Sequence, residues 1–211
     1  MPQFVIEQID AISAGEAVVV ADVGQNQMWA AQFFRYTRPR NFITSGGLGT
    51  MGFGLPAAIG AQFGRRGEPV ICVTGDGGAQ MNFQELVVAV EHQIPVVVVI
   101  LNNGFLGMVR QWQELFYNRR YSGVVLSQKG RAPNEQVAET SGYLPDFIKM
   151  AEAHGACARR VFKEEEVGPA LREALASGKT WVIECIVAPE ANVFPMIPPG
   201  AHVAEIINRT V

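Results

Sequence analysis

Three apolar, valine-bearing runs of this chain end in residues that a simple turn does not need: Asp22-Val23-Gly24-Gln25, Gly75-Asp76-Gly77-Gly78 and Asn102-Asn103-Gly104. Glycines after a buried strand let backbone N–H groups come close to an anion, and a helix beginning there adds a favourable dipole. Asp76 brings a carboxylate to the same place, where it would repel a bare phosphate. A divalent cation bridging carboxylate and phosphate oxygens resolves that conflict. Mg2+ prefers an octahedron of oxygens and commonly takes only a few of them from protein. The carboxylate of Asp76, the amide oxygen of Asn103 and a nearby main-chain carbonyl suit that requirement. Gly-Asp-Gly by itself is frequent in turns, so the plain alternative is a pair of ordinary strand ends. Its register with a strand before it, a capped helix and a second strand after it, and then Asn102-Asn103 makes the pattern specific.

For these residues to meet, the runs before them must lie side by side with one polarity. Ala17–Ala21, Val70–Thr74, Val96–Leu101 and Trp181–Val187 are unbroken apolar runs, as expected of strands buried on both faces of a parallel sheet. A weaker strand is expected near Ala158–Val161. Helical patterns cover Phe4–Ser13, Phe53–Phe63, Phe83–His92, Gly107–Tyr117, Phe147–His154 and Glu165–Ser177. Asn82 followed by Glu85 has the form of a helix cap, and Asp146 after Pro145 that of another. The alternation predicts an α/β fold, a doubly wound, mainly parallel sheet with helices on both faces. Ligands then bind beyond the carboxyl ends of the strands, where the three segments stand.

No repeat or linker divides residues 1–211, so one domain is expected. Ser122–Leu144, polar and rich in Gly, Pro, Ser and Thr, is long for a connection and reads as a mobile loop or lid. Residues 192–211 read as an extended, proline-rich surface tail that closes in a short helix over Ala201–Arg209.

Composition sets the outer bounds. About half of the 211 residues are hydrophobic (48%) and 18% are charged, enough apolar side chain for a sizeable core. The net charge of −3 offers no footprint for nucleic acid or an anionic membrane. The apolar run Pro95–Leu101 is too short to span a bilayer. Met1-Pro2-Gln3 leads directly into an amphipathic segment with no targeting leader, so a cytoplasmic location is expected. Cys72, Cys157 and Cys185 are isolated in apolar surroundings and read as buried thiols, neither a disulfide framework nor a zinc site. His92, His154 and His202 stand at no metal-ligand spacing, and Arg119 and Arg120 read as a solvated helix end.

Gly75-Asp76-Gly77 with Asn102-Asn103 resembles the thiamine-diphosphate fingerprint. Asp22–Gln32 (DVGQNQMWAAQ), Ser45–Ala58 (SGGLGTMGFGLPAA), Gly107–Ser122 (GMVRQWQELFYNRRYS) and Asn192–Gly200 (NVFPMIPPG) resemble acetolactate synthase, also called acetohydroxyacid synthase, in the C-terminal cofactor-binding domain of its large catalytic subunit. The resemblance runs over nearly the whole chain. It implies that Asp76, Asn103 and the main-chain oxygen of Phe105 hold Mg2+, which in turn holds the diphosphate. Val23, Gly24, Gln25, Gly75, Gly77, Gly78, Gly107 and Met108 are implied to line the cofactor site. Met51 is implied to push between the two rings and hold thiamine diphosphate bent. Gly49 is implied to accept a hydrogen bond from the aminopyrimidine amine through its carbonyl. Trp112, with Met108 and Val109, is implied to border the pocket for small 2-oxoacids. Without the resemblance, Met51 beside Leu55, Ala58 and Ile59 is ordinary core, and Trp112 on an apolar helix face is ordinary packing.

The implied reaction decarboxylates pyruvate and joins the two-carbon unit to a second 2-oxoacid, in branched-chain amino-acid biosynthesis. The resemblance also implies an N-terminal pyrimidine-binding domain that brings a glutamate from a neighbouring subunit, and a central domain that carries FAD. A homo-oligomer follows, and a regulatory small subunit is a further partner of such enzymes. Since those domains have no counterpart in 211 residues, the chain alone is expected not to turn over. Phe105 stands where polar residues are common, and Asn26 replaces a histidine. Ser122–Leu144 is longer than usual by roughly a dozen residues, a length typical of a functional or disordered loop. Other thiamine-dependent 2-oxoacid carboligases or decarboxylases, such as glyoxylate carboligase, remain alternatives, as does a non-catalytic structural module. A dinucleotide-binding Rossmann domain is disfavoured, because no G-x-G-x-x-G follows the first strand.

Overall fold

Branched side chains on both sides of a pleated strand are stable only where both faces of the sheet are covered. That condition is met in the four inner strands, whereas the two edge strands are half-buried. The computed structural model describes residues 1–126, 144–198 and 200–208. Its strands are β1 (Val18–Ala21), β2 (Phe42–Thr44), β3 (Val70–Gly75), β4 (Val97–Asn102), β5 (Cys157–Val161) and β6 (Trp181–Ile186). They form one parallel sheet in the order β2-β1-β3-β4-β6-β5. The helices are α1 (Pro2–Ser13), α2 (Gln25–Phe33), α3 (Gly54–Gly64), α4 (Asp76–Asn82), α5 (Leu86–Glu91), α6 (Gly107–Phe116), α7 (Phe147–Ala153) and α8 (Glu164–Ser177).

Alternate residues of each strand feed two cores. Val19, Ile71, Val99 and Ile183 pack with Ile6 and Ile9 of α1, Trp29 of α2 and Leu171 of α8. Val20, Cys72, Val98 and Val182 pack with Leu55 and Ile59 of α3, Leu86 of α5 and Phe147 of α7. In-register pairing of Val20 with Cys72, Cys72 with Val98 and Val98 with Val182 keeps each set on its own face. From β1 the chain goes to β2 on one side, and β3 lies on the other. The crevice beyond the carboxyl ends of β1 and β3 is therefore a topological switch point.

Several expectations need correction. The helix placed over Phe83–His92 is a single 3-10 turn, Phe83–Glu85, followed by α5, and α4 precedes it. Asn82 is not its cap; its Nδ2 donates to Gly52 O at 2.9 Å. Asp146 does cap α7, accepting from Lys149 N at 3.4 Å. Helix α2 and the edge strand β2 were not anticipated. Cys72 and Cys185 are buried, and burial pushes the Cys185 thiol up to about 12, but Cys157 is only half-buried.

The tail lies largely at the surface but is anchored at two points. Val193 is fully buried and Met196 nearly so, because Gln111 of α6 bonds to both backbone groups of Val193. The expected terminal helix is one 3-10 turn, Val203–Glu205, after which Ile207 pairs antiparallel with Met196. The start of the expected loop, Ser122–Leu126, is held against the β4–α6 connection, with Val124 buried and Leu126 N donating to Gly104 O at 2.9 Å. The lid expected over 122–144 otherwise falls on residues 127–143, outside the described residues.

Candidate functional site

The three strand ends converge on one cavity of about 250 Å3. The β1 end brings Val23, Gly24 and Gln25 to it, the turn before α3 brings Gly49 and Met51, and the β3–α4 junction brings Gly75, Asp76, Gly77 and Gly78. The β4–α6 connection adds Asn103 and Phe105, and the first turn of α6 adds Gly107, Met108 and Val109. Trp112 is the one candidate that does not line it. It stands a turn further along α6, on the same side as Met108 and Val109.

Asp22 builds the wall that carries Met51. Its buried carboxylate accepts from Val23 N at 2.8 Å, Gly52 N at 3.1 Å and Gly54 N at 2.7 Å, so a strand end grips a turn some thirty residues away. Asn82 holds the same turn through Gly52 O. The fit tolerates no side chain at Gly78, where a Cβ would run into Asp22 Oδ1, and Gly52 takes a φ of +86° in the same turn. Met51, half-buried, ends with its Cε 3.5 Å from where a Gly77 Cβ would stand. It lies in the cavity wall, so ordinary core packing does not describe it.

Asp76 is 2% exposed. Its Oδ2 accepts from Gly104 N at 2.7 Å and its Oδ1 from Gly77 N at 3.0 Å. Burial nevertheless pushes the carboxyl up to about 7; those N–H groups pull it down only in part, and the buried Glu184 carboxylate adds to the rise. Among the described residues no Lys, Arg or His forms an ion pair with it. A buried carboxylate that no described residue neutralises fits a cation in the adjoining space. Asn103 Oδ1 accepts from Phe105 N at 2.9 Å, and its Nδ2 donates to Gln25 Oε1 at 3.4 Å. Each oxygen keeps a lone pair. No group of three His, Cys, Asp or Glu side chains among the described residues could hold a metal, so an ion here would draw on amide and main-chain oxygens, the donor set of Mg2+ rather than zinc.

Helix α6 is turned inside out. Its buried residues are Arg110 and Gln111, whereas Val109 is 45% and Trp112 40% exposed. Arg110 ion-pairs with Glu114 at 2.6 Å and bonds Asn192 Oδ1 at 2.5 Å. The polar side thus seats the C-terminal segment, and the apolar side faces outward beside the cavity.

Sequence reasoning assigned no role to Asp22, Asn26, Leu106 or Gln111. Asn26 lines the cavity and is buried, its Nδ2 donating to Val73 O at 3.0 Å. Asp22 carried one readable signal, a carboxylate at a buried strand end in series with Asp76. Gln111 carried none, since a polar residue within an apolar helix pattern looks solvent-facing.

Residues 22–185 match the family model described as thiamine pyrophosphate enzyme, C-terminal TPP binding domain. The chain is 42% identical over 204 residues to acetolactate synthase isozyme 2 large subunit of Escherichia coli, covering 97% of this chain and 34% of that protein. It is 46% identical over 206 residues to acetolactate synthase of Mycobacterium bovis, covering 97% and 32%. With acetolactate synthase 2, chloroplastic, of Nicotiana tabacum it shares 41% over 208 residues, 99% of this chain and 30% of that protein. It spans about a third of the length of these curated relatives. The chain belongs to the C-terminal TPP-binding domains of thiamine pyrophosphate enzymes, in the form found in acetolactate synthase large subunits.

Proposed function

We propose that this cavity binds thiamine diphosphate through Mg2+ and that the domain serves an enzyme making acetolactate. The observation that carries the reading is the buried Asp76 carboxylate, without a cationic partner among the described residues, lining one glycine-rich cavity together with Asn103. Asp76, Asn103 Oδ1 and the main-chain oxygen of Phe105 would hold the ion. Gly24, Gln25, Gly77, Gly78 and Gly107 offer room and backbone groups for the diphosphate, and Val23, Gly75 and Met108 complete the wall. Met51, on the turn steadied by Asp22 and Asn82, would support a bent cofactor, and the Gly49 carbonyl would accept from its amine. When bound, the cofactor supplies the electron sink that lets a 2-oxoacid lose CO2 and form a new carbon–carbon bond. Met108, Val109 and Trp112 would border the acceptor 2-oxoacid.

The whole activity is proposed for the complete enzyme: pyruvate joined to a second 2-oxoacid, in branched-chain amino-acid synthesis, in the cytoplasm. Among the described residues no helix is long and apolar enough to cross a membrane. The outward apolar residues Leu48, Val109, Trp112 and Phe116 suit a cover by a further domain or a second copy; an N-terminal pyrimidine-binding domain, a central FAD-carrying domain and a regulatory small subunit are the partners proposed. The test is product analysis with pyruvate alone and with added 2-oxobutyrate. Acetolactate and acetohydroxybutyrate are expected; acetaldehyde alone, or condensation confined to glyoxylate, would replace this reading with another thiamine-dependent decarboxylase or carboligase.

A further inference from the structure

Three buried primary amides form a chain from the C-terminal backbone to Asn103. Gln111, 1% exposed, meets Val193 at two points: its Oε1 accepts from Val193 N at 2.8 Å and its Nε2 donates to Val193 O at 2.9 Å. Backbone N–H and C=O cannot exchange roles, so the Gln111 amide has one way round. Its Oε1 also accepts from Gln25 Nε2 at 2.9 Å, and the same Nε2 donates to Ala191 O at 3.0 Å. Two acceptors at one end of Gln25 fix its Oε1 at the other, where Asn103 Nδ2 donates to it. Asn103 is thus engaged at both ends, its Nδ2 on Gln25 Oε1 and its Oδ1 on the Phe105 N–H. Gly107 closes the packing: a Cβ there would run into Gln25 Oε1 and come within 2.7 Å of Asn103 Nδ2.

We propose that Gln111 is a positioning residue for the metal site. The Phe105 N–H already selects the Asn103 oxygen; by fixing Gln25, Gln111 gives the Asn103 nitrogen its acceptor, so that the liganding amide is held at both ends, and it takes its own orientation from Val193 in the C-terminal segment. The inference rests on reading Asn103 as an Mg2+ ligand. Without that acceptor the Asn103 amide keeps only the Phe105 N–H to orient it, and partners that orient a ligand are typically worth 10–100-fold in metal affinity.

The test is Mg2+ titration by calorimetry into the protein with thiamine diphosphate present in excess, with thermal midpoints recorded alongside. Gln111→Met should weaken Mg2+ binding about 10-fold, and in a Gln25→Met background the same change should add less than about twofold. Gln111→Glu keeps the acceptor facing Gln25 and should bind Mg2+ better than Gln111→Met, although its buried charge makes it the less stable protein. This arm reads the proposal even if Gln111→Met does not fold. Wild-type Mg2+ affinity in Gln111→Met, equal losses in both backgrounds, or weaker binding by Gln111→Glu would overturn it while leaving the cofactor reading intact. Absence of any Mg2+-dependent binding in the wild type would overturn both.

Discussion

Asp76 concentrates the chemistry of the site in one ionisation. Burial lifts its carboxyl from 3.8 to about 7, so the metal-free folded protein keeps a proton that the unfolded chain has already released. The sign follows: this group's contribution to stability is complete below its unfolded value and is lost as pH rises to about 7. A shift of that size corresponds to on the order of 4 kcal/mol. The urea midpoint of the metal-free protein should therefore fall across that interval, and saturating Mg2+ should flatten the profile by stabilising the charged native form. A midpoint that rises over the interval without metal contradicts the assignment. Asp22 has the opposite character, a buried carboxylate fully occupied by backbone donors. Asp22→Ala leaves the N–H groups of Val23, Gly52 and Gly54 without their acceptor and should cost about 3 kcal/mol or more in denaturant unfolding. A loss below about 1 kcal/mol would mean that water or a relaxed turn replaces it.

The elements differ in how plainly their residues announced them. β1, β3, β4 and β6 are legible because burial on both faces demands continuous apolar residues, and Val18, Cys72, Val98 and Ile183 are all under 2% exposed. α2 was hidden because its buried side turns Gln25 and Asn26 toward the site, which erases the apolar stripe a helix normally shows. α4 was hidden by Gly77 and Gly78, poor helix formers kept because Asp22 and Leu106 stand where their Cβ atoms would be. β2 has three half-buried residues at a sheet edge, too few for any period to show. α6 misled in another way: its apolar pattern is real but points outward. Trp112→Ala should therefore change stability by less than about 1 kcal/mol, while altering the acceptor 2-oxoacid preference of the complete enzyme. A large stability loss with unchanged preference would return Trp112 to ordinary packing. The most exacting steric test on this helix is Gly107→Ala, whose added methyl meets the Gln25 and Asn103 amides. Mg2+-dependent cofactor affinity should fall at least about 10-fold; unchanged affinity would show that the amide pair can shift without consequence.

At the scale of the molecule, a parallel sheet collects one end of every strand at one edge, and the switch point between β1 and β3 opens that edge into a cavity. This is why residues so far apart in sequence as Gly24, Met51, Asp76 and Asn103 share one wall. The strand-end glycines, Asp76 and Asn103 were legible, since each follows an apolar run. The supports were not: Asp22 on the Met51 turn, Gln111 behind Gln25, and the buried tail at Val193 depend on contacts that no local pattern encodes. The central claim is that Asp76 and its neighbours hold thiamine diphosphate through a divalent cation. Calorimetric titration of thiamine diphosphate into the protein, with and without Mg2+ and beside Asp76→Ala, tests it most directly. Binding should require Mg2+ and be lost in Asp76→Ala; binding of equal strength without the metal, or undiminished in the variant, would contradict it.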